Sequence, residues 1–321
     1  MSTLLKWAFG AGKDNSVTPS NVFNQQQYTG DGFPTRNVIT GTDLPSGGMV
    51  LNFISSLAGD RTNTYTTDFD LAFNTTGSNI IPSRITSFLP NGYQTQRNAS
   101  GSTYLSYAFK KAPKFFTYLT YTGDGTSARV LNHDLGVAPG MCICKMINVT
   151  SDWHVSHIGA RMRSSDNIAA GYILNTDGTG YFNASISELT ETSVTLMGTS
   201  AVNRLGVNYV IYLFAHDPSP NGIIQCGYYT GTGEIKDVFL GWKPNLLLIK
   251  DADSGKSGRN WNFMSFLDPM SNLAVTTWLN NNSAPVNLTD IARTNTGFTL
   301  NSPSIQYNEN STRYIYMAIK E

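Results

Sequence analysis

One short phrase recurs three times along this chain, and that recurrence limits the fold more than any other feature. Tyr28-Thr29-Gly30-Asp31-Gly32 returns as Tyr121-Thr122-Gly123-Asp124-Gly125 and again as Tyr229-Thr230-Gly231-Thr232-Gly233. A fixed internal period decides the architecture before any single element can be read. A second landmark follows. Leu135-Gly136-Val137-Ala138-Pro139 leads into Met141-Cys142-Ile143-Cys144-Lys145, and Leu240-Gly241-Trp242-Lys243-Pro244 into Leu246-Leu247-Leu248-Ile249-Lys250. Copy one keeps only a degenerate version, Leu44-Pro45-Ser46-Gly47-Gly48 before Met49-Val50-Leu51, without the strand-terminal lysine.

Three further landmarks keep the same order. Aromatic stretches lie around Tyr65, Trp153 and Trp261, and turn-like segments begin at Asn74, Asn175 and Asn280. Each copy closes on an aromatic strand, 104–109, 209–214 and 314–319. A unit of roughly 100 residues can hold its own core, so each copy reads as a small domain. The expected division is an N-terminal arm at 1–27, then copies at 28–112, 113–217 and 218–321. The polar stretch from Asp14 to Gln27 suggests an arm ordered only by a partner. Prolines at Pro113, Pro218 and Pro220 suggest stiff linkers, hence a rigid string of domains with an attachment end and a display end.

Short apolar runs bounded by Gly, Asn or Pro recur throughout, and helical periodicity is weak. The chain has 16 Tyr and 16 Phe, and only 14% of its 321 residues are charged, against about 25% in an average soluble protein. Aromatic residues favour pleated surfaces and Asn and Gly favour turns. The fold class is therefore all-β: three tandem β-sandwich or jelly-roll-like domains with a short arm. The closing strands are apolar on both faces, which suits a central strand covered by a second sheet and by a neighbouring element.

Composition also excludes function classes. With 22 basic and 22 acidic residues and no basic cluster, nucleic-acid binding is not expected. The longest apolar runs, such as Leu246-Leu247-Leu248-Ile249, are too short for membrane insertion. The N-terminus has no signal-peptide pattern, so assembly in a host cytoplasm is expected. Three cysteines without framework spacing (Cys142, Cys144, Cys226) fit that setting.

Several local patterns invite a chemical reading and fail it. Ser254-Gly255-Lys256-Ser257 resembles the end of a phosphate loop, but Lys250 stands where the first glycine belongs. His154 and His157 face opposite sides of a strand. Leu247 and Ile249 replace Cys142 and Cys144 in copy three, which marks buried apolar positions. Asp251-Ala252-Asp253 resembles the opening of a Ca2+ loop without its later glutamate. Asp268, Asp290, Glu188 and Glu191 show no carboxylate pair for glycan hydrolysis. No catalytic residue, cofactor or metal is expected. The candidate ligand contacts are three loop aromatics, Tyr93, Tyr181 and Trp278.

Taken together, the Tyr-Thr-Gly-Asp-Gly starts, the Leu-Gly-x-x-Pro strand with its terminal lysine, Asp152-Trp153 and the closing strand resemble a repeat of marine tailed-phage virion proteins, cyanophage-like and tail-associated. The bridging phrase Phe109-Lys110-Lys111-Ala112-Pro113-Lys114-Phe115-Phe116 is especially similar. The resemblance covers roughly residues 28–321. It implies a structural protein located in the virion, with no catalytic residues to carry over. A tail fibre, spike or adaptor subunit is the expected role, bound to other virion proteins through the arm and copy one and contacting host-surface glycan. Capsid decoration is the alternative and a glycan depolymerase the third reading. Phage fibres are usually trimers and this chain has no heptad segment, so a homo-oligomer is expected through other surfaces.

Overall fold

A computed structural model of the chain describes residues 17–54, 63–65, 70–78, 84–160, 170–178, 182–183, 185–198, 200–253, 256–267 and 273–321. Strands dominate, as composition predicts, and every named strand pairing is antiparallel. A single turn of helix, α1 (Pro19–Val22), leads into copy one. Its strands are β1 (Phe23–Thr29), β2 (Arg36–Ile39), β3 (Gly48–Ile54), β4 (Asn63–Tyr65), β5 (Asp70–Ala72), β6 (Ile85–Leu89), β7 (Gly92–Thr95) and β8 (Thr103–Lys110). They form a large sheet, β1-β8-β3-β4-β5, and a small one, β2-β7-β6.

Copy two repeats the plan. It runs β9 (Phe116–Thr122), β10 (Arg129–Asn132), β11 (Pro139–Met146), β12 (His154–His157), β13 (Ala170–Ile173), β14 (Phe182–Asn183), β15 (Ile186–Leu189), β16 (Ser193–Leu196) and β17 (Asn208–Ala215). The sheets are β9-β17-β11-β12-β13-β14 and β10-β16-β15. Copy three has β18 (Ile224–Thr230), β19 (Lys236–Phe239), β20 (Pro244–Asp251), β21 (Asn262–Ser265), β22 (Leu273–Trp278), β23 (Val286–Thr294), β24 (Gly297–Leu300) and β25 (Arg313–Lys320). Here the long β23 pairs with β22 on one side and β24 on the other, joining both sheets into one of eight strands.

The closing strands β8, β17 and β25 are central in the large sheets, and alternation gives each of them two apolar faces. In copy one, Tyr104 and Ala108 face the small sheet and pack with Val38, Val50, Ile85 and Tyr93. In copy three, Tyr314, Tyr316 and Ala318 do the same with Val238, Leu247 and Phe298. The opposite faces carry Leu105, Tyr107 and Phe109 in copy one, Val210, Tyr212 and Phe214 in copy two, and Ile315, Met317 and Ile319 in copy three. All nine belong to one continuous apolar core. The neighbouring element that the two-sided strands call for is therefore another copy's large sheet.

This arrangement corrects the expectation of a rigid string of domains. The supposed linkers are tight turns: Ala112 N–H donates to Phe116 O at 2.9 Å, and Phe115 and Phe116 are fully buried in the shared core. The proline-containing stretch around His216 likewise turns straight into β18, with Asp217 N–H donating to Ile224 O at 3.0 Å. The described part of the expected arm is also different. Residues 23–27 are the start of β1, in register with Phe109 to Leu105. The polar residues that suggest disorder are half-exposed or exposed positions of an edge strand, while Val22 is buried and Phe23 is buried against Phe109. Residues 1–16 lie outside the described part.

Candidate functional site

Two repeated devices account for the sequence landmarks. The first lies within each copy. Tyr28, Tyr121 and Tyr229 stack on the closing tyrosines Tyr104, Tyr209 and Tyr314, with ring centroids 4.9, 5.0 and 5.4 Å apart. Their hydroxyls donate to the carbonyls of Arg97, Val202 and Tyr307. The next residue in each copy is an asparagine. Asn98, Asn203 and Asn308 accept from the backbone N–H of Asp31, Asp124 and Thr232 at 3.0, 3.2 and 3.0 Å. Their amides donate back to Phe33 O, Thr126 O and Glu234 O. Only glycine fits the phrase's third position. A Cβ on Gly123 would lie 2.1 Å from Arg204 O, and Gly30 and Gly231 meet the equivalent carbonyls.

These asparagines are not among the sequence landmarks, although the signal is there. Each stands six residues ahead of the closing tyrosine, a spacing identical in all three copies and readable from the chain itself. Because Asn203 also bonds Asp124 Oδ1 at 2.8 Å, Asn203→Ala removes three hydrogen bonds from a buried amide to the turn at Asp124 and Thr126. It is expected to cost about 3 kcal/mol, read as a lower midpoint in denaturant unfolding.

The second device joins the copies. Trp153 precedes β12 and is fully buried. Its Nε1 donates to Ala72 O at 2.9 Å and Thr75 O at 3.2 Å in copy one, and its ring meets Phe73 edge-on at 4.7 Å. Trp261 repeats the contact one copy on, donating to Ile173 O at 2.9 Å beside Tyr172. The strand-terminal lysines follow the same rule. Lys145 Nζ donates to Thr76 O of copy one at 3.0 Å, and Lys250 Nζ to Asp177 O of copy two at 3.5 Å. Both ammoniums lie over their own copy's tryptophan, at 5.8 and 5.9 Å from the ring centroid. Burial pulls both lysines down to about 8.

Contacts between copies three and one close the ring. Phe53 stands at the lysine's position in copy one and packs on Phe263 of copy three, 5.6 Å away. Tyr107 meets the same ring edge-on at 4.9 Å and shares a 2.8 Å hydrogen bond with Ser265. Gln25 Nε2 donates to Asn245 Oδ1 and Phe266 O, and Asn74 Nδ2 to Asn282 Oδ1. The strand position that holds Ser265 in copy three holds His157 in copy two, and it too reaches the next copy. His157 Nε2 lies 3.0 Å from Tyr316 O, while Nδ1 accepts from Gly159 N–H. The three copies thus surround a pseudo-three-fold axis, each touching both others.

The sequence-predicted residues fall elsewhere. Tyr93 is no loop contact: it is fully buried, with its hydroxyl between Asn52 Oδ1 at 2.9 Å and Ser106 Oγ at 2.6 Å. Its alternation within β7 turns it inward. Trp278 is half-buried at the end of β22 and donates to Asn262 Oδ1. Tyr181 lies outside the described residues. Cys142 and Cys144 are buried, and burial pushes the Cys144 thiol up to about 12. Asp251 is fully buried beside Arg259 Nε at 3.4 Å, and Glu309 ties together Lys256 at 2.6 Å and Arg259 at 3.0 Å. Two cations and the backbone N–H of Asp253 surround Asp251, the carboxylate that opens the Ca2+-loop-like segment. Glu188, on β15 of copy two, accepts from Thr195, and Asp290, on β23 of copy three, accepts from Tyr307, so the two carboxylates lie in different copies. Asp268 lies outside the described residues. Among the described residues no group of three His, Cys, Asp or Glu could hold a metal ion.

Comparison with known proteins gives a family match over nearly the whole chain. The family described as Domain of unknown function (DUF7483) matches residues 18–321. No curated protein matches the chain. The solved structure described as "Crystal Structure of the STIV MCP" aligns over 94% of this chain and 89% of that chain at 8% identity, with a TM-score of 0.18.

Proposed function

The chain belongs to the family described as Domain of unknown function (DUF7483), and on that premise we propose that it is a structural protein of a tailed-phage virion, without enzymatic activity. Its role is that of a tail fibre, spike or adaptor subunit that contributes to host attachment. One observation carries the reading: three copies of a sandwich bury their large sheets against one another around a single apolar core. One chain then supplies the three-fold body that fibres usually assemble from three. The repeat resemblance to marine phage virion proteins supports the same setting.

The same three-fold body suits a second reading, capsid decoration at a three-fold position of the shell. The two differ in copy number. Quantitative mass spectrometry of purified virions is expected to give a few tens of copies or fewer per particle, at the tail in immuno-electron microscopy. Hundreds of copies on the shell would support decoration, and absence from virions would contradict both. Release of reducing ends from host polysaccharide by the purified chain would contradict the non-enzymatic reading.

The internal three-fold also changes the expected oligomer. Symmetry that would otherwise need partner chains is present within one, so analytical ultracentrifugation is expected to give a monomer near 35.1 kDa. A stable trimer of chains would show that the internal ring does not replace external symmetry.

A further inference from the structure

Two of the junctions between copies can be compared position by position, and they differ. Between copies three and one, Gln25 Nε2 reaches Asn245 Oδ1 at 2.8 Å and Phe266 O at 2.7 Å, and Phe266 is buried. Between copies two and three the corresponding positions hold Cys226, Gly140 and Ile158. Two small residues replace the bridging amides: a Cβ on Gly140 would lie 2.6 Å from Cys226 Cβ. Ile158 is 44% exposed. A groove of about 330 Å³ opens there. Its walls include Ile158, Gly159 and His216 of copy two and Gly227, Tyr228 and Tyr316 of copy three.

Copy three also brings an unmatched hydroxyl to this groove. In every copy the residue two before the stacked tyrosine pairs with the residue two after the closing one. The pairs are Gln26 with Ser106, Leu119 with Ile211 and Gly227 with Tyr316. Only copy three sets a glycine opposite a tyrosine, and a Cβ on Gly227 would lie 2.6 Å from Tyr316 Oη. The phenol therefore runs across Gly227 to the sheet edge. Tyr316 is 9% exposed, and among the described residues its hydroxyl has no hydrogen-bond partner. A hydroxyl so placed calls for a partner from outside the chain. His216 offers a second polar group. Its Nδ1 accepts from Cys226 N–H at 3.3 Å, so the neutral ring carries its proton on Nε2. Tyr228 stands on the rim, 57% exposed, with Arg313 stacked on its ring at 3.5 Å. Among the described residues lining the groove there is no acid, lysine or arginine.

We propose that this groove binds a neutral saccharide ring. Tyr316 Oη and His216 Nε2 meet ring hydroxyls, while Tyr228 and Ile158 take an apolar C–H face. The volume is at the lower end for small-ligand sites, which suits one ring with its substituents. A single ring is held weakly, with a Kd on the order of 1 mM. Such a site suits attachment through many virion copies at once. This deepens the attachment reading and rests on it for its biological sense.

The full chain should be titrated by NMR with the methyl glycosides of glucose, galactose and mannose, and with the uronate of each. At least one neutral glycoside is expected to bind with a Kd on the order of 1 mM. Its own uronate should bind at least about fivefold more weakly, because the groove offers no cation to replace the water lost by a carboxylate. Tyr228→Ala should weaken glycoside binding at least about tenfold. Tyr316→Phe should weaken it at least about fivefold. That change removes only an unbonded hydroxyl and keeps the packing, so the test does not depend on how Tyr228→Ala folds. Leu205→Ala, at an exposed apolar residue of copy two outside the groove, should change binding less than about twofold. No glycoside binding at tens of millimolar, a uronate bound as tightly as its glycoside, or full binding by both tyrosine variants would each overturn the assignment. Host-cell binding, measured in parallel, separates the two readings. Cell binding by a chain that takes up none of the glycosides overturns the groove and leaves attachment standing. Glycoside binding without cell binding overturns attachment and leaves the groove.

Discussion

Trp153→Ala is expected to lower the stability of the whole chain by about 4 kcal/mol, not merely loosen copy two. Large-to-small changes of a buried Trp or Phe cost about 3–5 kcal/mol when the site cannot collapse. Trp153 sits where collapse is hardest, between its own copy and Phe73, Ala72 and Thr75 of copy one. The change removes the indole donor, which leaves two carbonyls without it, and takes away the ring beneath Lys145. Lys145 would then lie buried with fewer favourable contacts. Because the residue bridges two copies, the loss belongs to the shared core. A single transition at lower denaturant with unchanged slope is expected in urea. Trp278→Ala is the matched control. That ring is half-buried, and among the described residues its indole bonds within copy three, so its cost should be well under half as large. A two-step transition in which copies one and three melt as before would show that the junction does not couple the copies.

Acidification is expected to destabilise the chain through His157. Burial is the main cause that holds its ring at a pKa of about 4, against 6.5 for an ordinary histidine. Each ring nitrogen has a structural partner in the neutral form, Tyr316 O and Gly159 N–H. The folded chain therefore resists protonation that the unfolded chain accepts. Stability from this group is complete above about pH 6.5 and is lost as pH falls toward 4. Between pH 7 and 5 the loss is about 2 kcal/mol. Asp70 acts in the opposite sense, because burial raises its pKa to about 6, and an acid protonated more readily when folded gains stability as pH falls. The clean measurement is thus a difference: unfolding free energies of wild type and His157→Gln at pH 7 and pH 5. The variant should lose about 2 kcal/mol less than wild type over that interval. Equal losses would mean that His157 is not buried as a neutral ring between copies two and three.

Much of this fold is legible in the sequence, because a repeat exposes what each copy must keep. The closing strands read as two-sided from their unbroken apolar character, and their inner faces indeed meet other copies. Cys142 and Cys144 read as core positions because Leu247 and Ile249 replace them, and both are buried. The missing lysine of copy one is visible as a departure, but its meaning is not. Lys145 and Lys250 each reach backward to the preceding copy, and copy one closes the ring with Phe53 on Phe263 instead. Such a contact spans some 200 residues and leaves no local period.

The misreadings have physical causes too. Proline-rich stretches look alike whether they space domains apart or turn the chain sharply, so composition at Pro113 and Pro218 does not separate a string from a ring. Polar residues at 24–27 look like a loose arm until β8 pairs with them. Tyr65 matches Trp153 in aromatic character, yet it lies at the third position of β4, whereas both tryptophans precede their strands. Tyr93 reads as a loop residue because Asn91 and Gly92 precede it, although the hairpin they form turns its side chain inward.

The central claim is that three copies form one ring-like body around a common core. Small-angle X-ray scattering of the monodisperse chain tests it most directly. A compact body of 321 residues is expected to have a radius of gyration of about 20 Å. Three such domains strung end to end would give on the order of 30 Å, and that result would contradict the shared core and the three-fold reading built on it.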